Sequence, residues 1–296
     1  MVIQARRDAE LEAGSDAHYE DVRYYDATYA DRREDVAYYV ELAAEHVAES
    51  AGPVLEYGCG NGRITLSLAR SGVEVTGIDR SEPMLASLRQ RLAKEPREVR
   101  RRVTVRAGDM RDKRLRTRFP LVLCTFNTFL HLYNRDDVER FLARVDSHLA
   151  PGGTFVFDTS LPDPEELARK PERLHRTPPF RHAGSGDIVR YGERFDYDPM
   201  RQVLIVAMEF EPRGRPRDGW MTPLAHRQFF PQELEALLHY NGFEVVALHG
   251  DYEREAPTRD SVDLVFHCRR RNEAKRQRRR SSEANQPVSA RKRRRS

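Results

Sequence analysis

The chain has 296 residues, 39% of them hydrophobic, enough for one large domain with additions. No apolar run approaches the ~20 residues that span a bilayer, the charged first twenty residues lack the apolar core of a secretory signal, and Cys59, Cys124 and Cys268 are too scattered for a disulfide framework or a metal-ligand spacing, which fits a reducing cytoplasm. The net charge of +4 hides a division: 13 of the 51 Lys and Arg and 2 of the 47 Asp and Glu lie in residues 269–296, leaving 38 against 45 in residues 1–268, a net −7, so the body has no bias toward a polyanion.

In chain order, residues 1–15 read as frayed or disordered. Tyr19, Tyr24, Tyr25 and Tyr29 crowd a short acidic helical stretch over residues 17–30. A longer helix runs from Asp31 to about Ser50, with Val36, Val40, Ala43, Ala44 and Val47 at helical spacing as its packed face. Residues 53–62, Pro-Val-Leu-Glu-Tyr-Gly-Cys-Gly-Asn-Gly, organise everything that follows. Val54 and Leu55 belong to a strand, Gly58, Gly60 and Gly62 form a turn, and Ile64, Leu66, Leu68 and Ala69 open a helix. Strand, glycine turn and helix together deliver a ligand to free N–H groups at a helix start. A dinucleotide site prefers G-x-G-x-x-G, whereas this turn is G-x-G-x-G with Glu56 entering it, which suits a ligand carrying an ammonium group. Val73–Asp79 is a second strand ending in a carboxylate that can accept both hydroxyls of a ribose. Ser81 then caps a helix with Pro83 in its first turn. Val103–Met110 is a third strand, ending in Gly-Asp-Met. Residues 96–102 and 111–118 read as basic, solvated connectors.

These three strand ends resemble the class I S-adenosylmethionine-dependent methyltransferases, whose first motif is (D/E)-x-G-x-G-x-G and whose second strand ends in an acidic residue followed by S-x-x-M-L. The resemblance implies S-adenosyl-L-methionine as cofactor. It assigns the ribose to Asp79, the adenine amino group to Asp109 and the face of the ring to the backbone N–H of Met110. Glu56, Gly58, Gly60, Gly62, Arg80, Met84 and Thr125 complete the implied cofactor site. In the glycine N-methyltransferase group an arginine before the first motif holds the donor carboxylate, a place that Arg33, or its neighbour Arg32, would take here. Tyr25, with Tyr24 and Tyr29, would close a cap over the donor.

Leu121–Thr125 is a buried fourth strand, and Asn127-Thr-Phe-Leu-His131-Leu after it resembles the N-S-x-x-H-L of glycine N-methyltransferase-like enzymes; aminosugar N-methyltransferases share the layout. Asn127, His131 and Tyr25 are therefore the catalytic, acceptor-side candidates. A helix over Arg135–Leu149 leads through Pro-Gly-Gly to a fifth strand ending at Asp158, which either lines the ligand end or caps the next loop. Residues 171–186 read as a loop, and strands over Ile188–Tyr197, Gln202–Glu211 and Trp220–Phe230 resemble an inserted substrate lid. A helix from Pro231 and two apolar strands, Phe243–Leu248 and Asp263–Cys268, close the chain body.

The expected fold is α/β: a seven-stranded Rossmann-like methyltransferase sheet with an antiparallel last strand. A helical cap (1–50), a core (51–160 and 229–268), a β lid (161–228) and a disordered basic tail (269–296) divide the chain. The expected reaction moves a methyl group to an N or O atom of a small molecule by in-line displacement, without a metal or a membrane. An RNA or protein methyltransferase recruited through the tail, and a module that binds the donor without turnover, are the alternatives. No Asn/Asp-Pro-Pro-aromatic string follows strand four and no hydride-site constellation is present, which argues against adenine or amide methylation and against NAD chemistry.

Overall fold

The computed structural model describes residues 2–50 and 52–271. The expected tail lies outside the described residues from 272 onward, and Arg269 and Arg270, counted with it, belong to a strand. Three helices, α1 (Val2–Glu20), α2 (Val22–Tyr29) and α3 (Glu34–Glu49), precede β1 (Val54–Tyr57). Then come α4 (Arg63–Arg70), β2 (Val75–Asp79), α5 (Glu82–Ala93), α6 (Arg97–Arg102), β3 (Val103–Ala107), β4 (Phe119–Cys124), α7 (Arg135–His148) and β5 (Leu149–Ser160). A single turn, α8 (Pro164–Leu167), leads to β6 (His175–Arg181), β7 (Ile188–Asp198), β8 (Val203–Pro212) and β9 (Trp220–Arg227), and α9 (Pro231–Tyr240), β10 (Phe243–His249) and β11 (Asp263–Arg270) finish the fold.

Seven of the strands form one sheet in the order β10-β11-β5-β4-β1-β2-β3, and β6 to β9 form a separate antiparallel sheet. Strands β1 to β5 are parallel, while β11 runs antiparallel to both β5 and β10. Both faces of the large sheet are covered, so successive residues of a strand enter opposite halves of the core. On β4, Leu121 and Leu123 pack with Tyr39 and Leu42 of α3 and Ile64 and Leu68 of α4, whereas Val122 and Cys124 pack with Phe141 of α7 and Leu234 of α9. The strand order reverses between β1 and β4, and the crevice beyond their C-terminal tips is where such sheets receive ligands.

Four expectations change. Residues 2–20 are helical, although α1 has no apolar stripe to advertise it; it is held by tertiary contacts such as the buried Ser15, whose Oγ lies 2.9 Å from the Tyr133 hydroxyl and accepts the Ala225 N–H at 3.1 Å. Helix α3 buries Tyr38, Tyr39 and Leu42 and leaves Val47 exposed, because the two tyrosines find polar partners inside, Tyr38 on His267 and Tyr39 on Asp158. The connector 97–102 is a helix anchored by buried Val99. Residues 175–181 form an edge strand despite Pro178 and Pro179, which an edge tolerates, with a bulge between Thr177 and Phe180. Among the described residues no helix is long and apolar enough to cross a membrane.

Candidate active site

A cavity of about 240 Å³ lies over the tips of β1, β2 and β4, between the large sheet, the first two helices and β9. At one end, Gly58, Gly60 and Gly62 take φ of 67°, 51° and 87°, a left-handed run that glycine adopts without strain. A Cβ on Gly58 would overlap Thr128 and one on Gly62 would overlap Leu88, but one on Gly60 would meet nothing within 4 Å, so bare backbone faces the cavity there. Glu56 is buried beneath the turn and accepts hydrogen bonds from the Thr65 hydroxyl and, at 3.2 Å, from the Thr125 hydroxyl; burial pushes it up to about 7. The Asp79 carboxylate accepts the Gly60 N–H at 2.7 Å on one oxygen and the Ser81 N–H at 2.8 Å on the other, and burial holds it above the usual range. Those bonds leave each oxygen one lone pair for a ligand. Burial alone would raise Asp109, but Arg111 outweighs it with three hydrogen bonds, from its backbone N–H, Nε and Nη2, and leaves it lowered. One acceptor position on Asp109 Oδ2 remains.

The segment after β4 is held in an unusual shape. Phe126 and Asn127 have φ of 56° and 61°, a conformation that costs non-glycine residues ~1–2 kcal/mol each. Asp158, at the end of β5, compensates: its two oxygens accept the N–H of Phe126 at 2.9 Å and of Asn127 at 2.8 Å, and the Tyr39 hydroxyl adds a third bond. The Asn127 amide accepts the Ser160 N–H at 2.6 Å and donates to Ser160 Oγ at 2.8 Å. The strap so formed presents the Phe126 ring to the cavity wall, with the Arg63 and Arg32 guanidinium groups 4.6 and 5.3 Å from its centroid and Tyr29 at 5.0 Å. Arg63 is paired with Asp35 through two hydrogen bonds of 2.7 and 2.5 Å, whereas Arg32 makes no ion pair among the described residues.

The first two helices close the cavity. Arg80 binds Glu12 and Asp16 of α1, Arg111 binds Glu12, and Asp26 of α2 accepts from Asn61 in the glycine turn and from Arg91. The far end is built from α1, the 3-10 turn Thr128–His131 and β9. There the Tyr19 hydroxyl lies 2.7 Å from His131 Nε2, the Tyr133 hydroxyl 3.2 Å from His131 Nδ1, and the His226 ring 5.0 Å from the His131 ring. Burial drives His131 well below its ordinary value and lowers His18 and His226 to about 4, so all three imidazoles are neutral.

Residues 54–153 match the family described as "Methyltransferase domain". The cypemycin N-terminal methyltransferase of a Streptomyces species is 33% identical over 227 residues, 76% of this chain and 86% of that one. The chain is a class I S-adenosylmethionine-dependent methyltransferase. The glycine/sarcosine N-methyltransferase of Aphanothece halophytica is 24% identical over 79% of this chain and 81% of its own. The structure of the CcbJ methyltransferase from Streptomyces caelestis superposes with a TM-score of 0.66 at 30% identity, covering 80% of this chain and 88% of that one. The cofactor of the methyltransferase is S-adenosyl-L-methionine.

Of the residues singled out in the sequence, the cavity of the methyltransferase brings together Tyr25, Glu56, Gly58, Gly60, Asp79, Arg80, Met84, Asp109, Met110, Thr125, Asn127 and His131. Gly62 stands behind the wall, starting α4. Arg33 does not reach the cavity: it precedes α3 as an exposed cap, and Arg32 lines the wall in its place. Asn127 faces the cavity, but its amide is engaged by Ser160, which makes it a brace of the strap. Phe126, expected at the crevice beside Asn127, also lines it, and Arg63, His18 and His226 join without having been expected. For Arg63 a signal existed, since the first residue of a helix that follows the glycine turn must stand beside the turn's ligand.

Proposed function

We propose that the methyltransferase acts on the nitrogen of an amine, on a small molecule or at a peptide N-terminus. The observation that carries this reading is the cavity of about 240 Å³ running from Asp79 and Asp109 to the uncharged Tyr19–His131 pair under α1 and β9, a space for a small group rather than for a polymer surface. The two relatives above are named for methylation of a peptide N-terminus and of glycine and sarcosine nitrogen. The residues fit the donor: the open lone pairs of Asp79 match two ribose hydroxyls, the remaining position on Asp109 matches an adenine amino group, and Glu56 faces an ammonium group. Arg32, which makes no ion pair among the described residues, is the cation for the donor carboxylate, while Tyr25, Tyr29 and Phe126 shield the chemistry from water. When bound, the donor supplies a methyl group on a sulfonium, and that carbon's bond to sulfur breaks, its electron pair staying on sulfur, as the amine lone pair forms the new N–C bond. The protein's part is alignment and exclusion of water. The proton released by the product nitrogen leaves to solvent.

The test follows labelled methyl from the donor into glycine, a tripeptide with a free N-terminus, the same peptide N-acetylated, and RNA. Label in free amines alone is expected. Label in the acetylated peptide or in RNA, with none in the amines, would overturn the reading.

A further inference from the structure

We infer that His18, Tyr19 and His226, grouped around His131, form the site that receives the acceptor nitrogen, and that they receive it as the uncharged amine. The inference rests on the proposed amine acceptor and adds which residues read it and in which protonation state.

Counting protons identifies the open positions. The Tyr133 hydroxyl has one proton and donates it to the Ala225 carbonyl, which can only accept, at 3.0 Å. Tyr133 therefore accepts from its other neighbours, Ser15 Oγ at 2.9 Å and His131 Nδ1 at 3.2 Å. With its proton on Nδ1, His131 has a lone pair on Nε2, and Tyr19 donates to it at 2.7 Å. His131 is thus saturated, and its effect is to turn the Tyr19 oxygen's lone pairs away from itself. His18, 2% exposed, has its Nε2 3.3 Å from the Tyr29 hydroxyl, and its Nδ1 is buried with no hydrogen-bond partner. The His226 side chain makes no hydrogen bond among the described residues, and it lines the cavity beside Leu224. An unpaired buried nitrogen costs free energy that a ligand's polar group recovers.

The charged groups around these positions are already engaged elsewhere. On α1, Asp16 is paired with Arg80 at 2.6 Å. At the tip of β2, Asp79 accepts two backbone N–H groups and offers its remaining lone pairs to the donor's ribose, and Asp109 beyond it is paired with Arg111. Burial lowers the three imidazoles as described, pushes Tyr19 and Tyr25 far up, and raises Tyr29 and Tyr133 to about 12. An ammonium group entering here would lose its water and find no free carboxylate. An uncharged amine can donate its N–H to the Tyr19 oxygen or to an imidazole nitrogen and keep its lone pair for the methyl group.

Sinefungin tests this directly. It is the donor with an amine-bearing carbon in place of the methyl sulfonium, so it places an amine where methyl and acceptor meet; S-adenosylhomocysteine lacks that amine. Calorimetry of both ligands on the full chain from about pH 7 to 9.5 gives an affinity ratio from which Glu56, Asp79 and the shared amino-acid end cancel. The ratio should rise in favour of sinefungin, approaching tenfold per pH unit below the amine's pKa. His18→Phe and His226→Phe should lower the ratio at every pH and leave its slope in place, while S-adenosylhomocysteine affinity stays within about twofold, which also reports that the variants are folded. A ratio that is flat or falls with pH in the wild type, or a ratio that both variants leave unchanged, overturns the inference. Failure of the wild type to bind S-adenosylhomocysteine would instead remove the donor site on which the proposed function stands.

Discussion

The two ends of the cavity are made differently. The donor end comes from consecutive strand tips within residues 56–111, and its charges are arranged in pairs: Asp79 on backbone N–H groups, Asp109 on Arg111, Arg63 on Asp35. The far end joins residues from α1, the turn after β4 and β9, and its groups are neutral. A ligand of fixed chemistry can be held by a local pattern of glycines and carboxylates. The far end, where the acceptor is proposed to sit, joins segments separated by more than two hundred residues that meet only after folding.

The strongest way to break the comparison is at Asp79. If the donor end depends on its few charged hydrogen bonds, Asp79→Ala loses two of them, ~1.5–3 kcal/mol each, or about a hundredfold or more in S-adenosylhomocysteine affinity. The substitution also frees the Gly60 and Ser81 N–H groups that fix the turn. Calorimetry reads the result, and a loss under about fivefold would mean that the strand tip is not the anchor.

This asymmetry also decides what was legible before the structure. The glycine turn and the carboxylates at 79 and 109 could be read because strand ends and backbone conformation leave their mark within a few residues. The seven-stranded sheet and the inserted strands followed from the same local periodicities. The engagement of the Asn127 amide could not be read because its partner, Ser160, is a strand away, and the choice between Arg32 and Arg33 stayed open because the start of α3 decides which of them stands at the cavity wall. Helix α1 shows no apolar stripe; it is held by Glu12, Asp16 and Ser15 reaching residues 64 to 210 positions away. His226 had one faint sign, its place two residues from Leu224 on one face of a strand.

The two ends should also respond to pH in opposite directions. Glu56 sits near 7 in the fold against an ordinary 4.5, so its contribution to stability is complete below about pH 4.5 and is lost as pH rises through 7. His18 and His226 sit near 4 against 6.5, so theirs is complete above pH 6.5 and is lost as pH falls through 4. At 1.36 kcal/mol per pKa unit, each amounts to about 3 kcal/mol at most over its window. Urea unfolding of Glu56→Gln beside the wild type should therefore show the variant gaining relative stability between about pH 5 and 8, and His226→Phe should lose less than the wild type on acidification below about pH 6.5. Differences that stay constant with pH would show that these groups titrate as they do in the unfolded chain.

The finest distinction lies between two adjacent arginines. Arg63 is neutralised by Asp35, so a carboxylate arriving at this wall gains little from it. Arg32 stands at the same wall, over Phe126, with its charge unpaired among the described residues, while Arg33 points outside. An ion pair at an exposed site is worth up to ~1 kcal/mol, which sets Arg32→Ala at about a fivefold loss of S-adenosylhomocysteine affinity. Arg33→Ala should leave it unchanged. Added salt should shrink the Arg32 effect, because screening acts on an exposed charge and spares the buried bonds of Asp79. An Arg33→Ala loss equal to or larger than that of Arg32→Ala would mean that the segment before α3 turns by one residue when the donor binds, and the donor end would then share the far end's dependence on how the N-terminal helices dock.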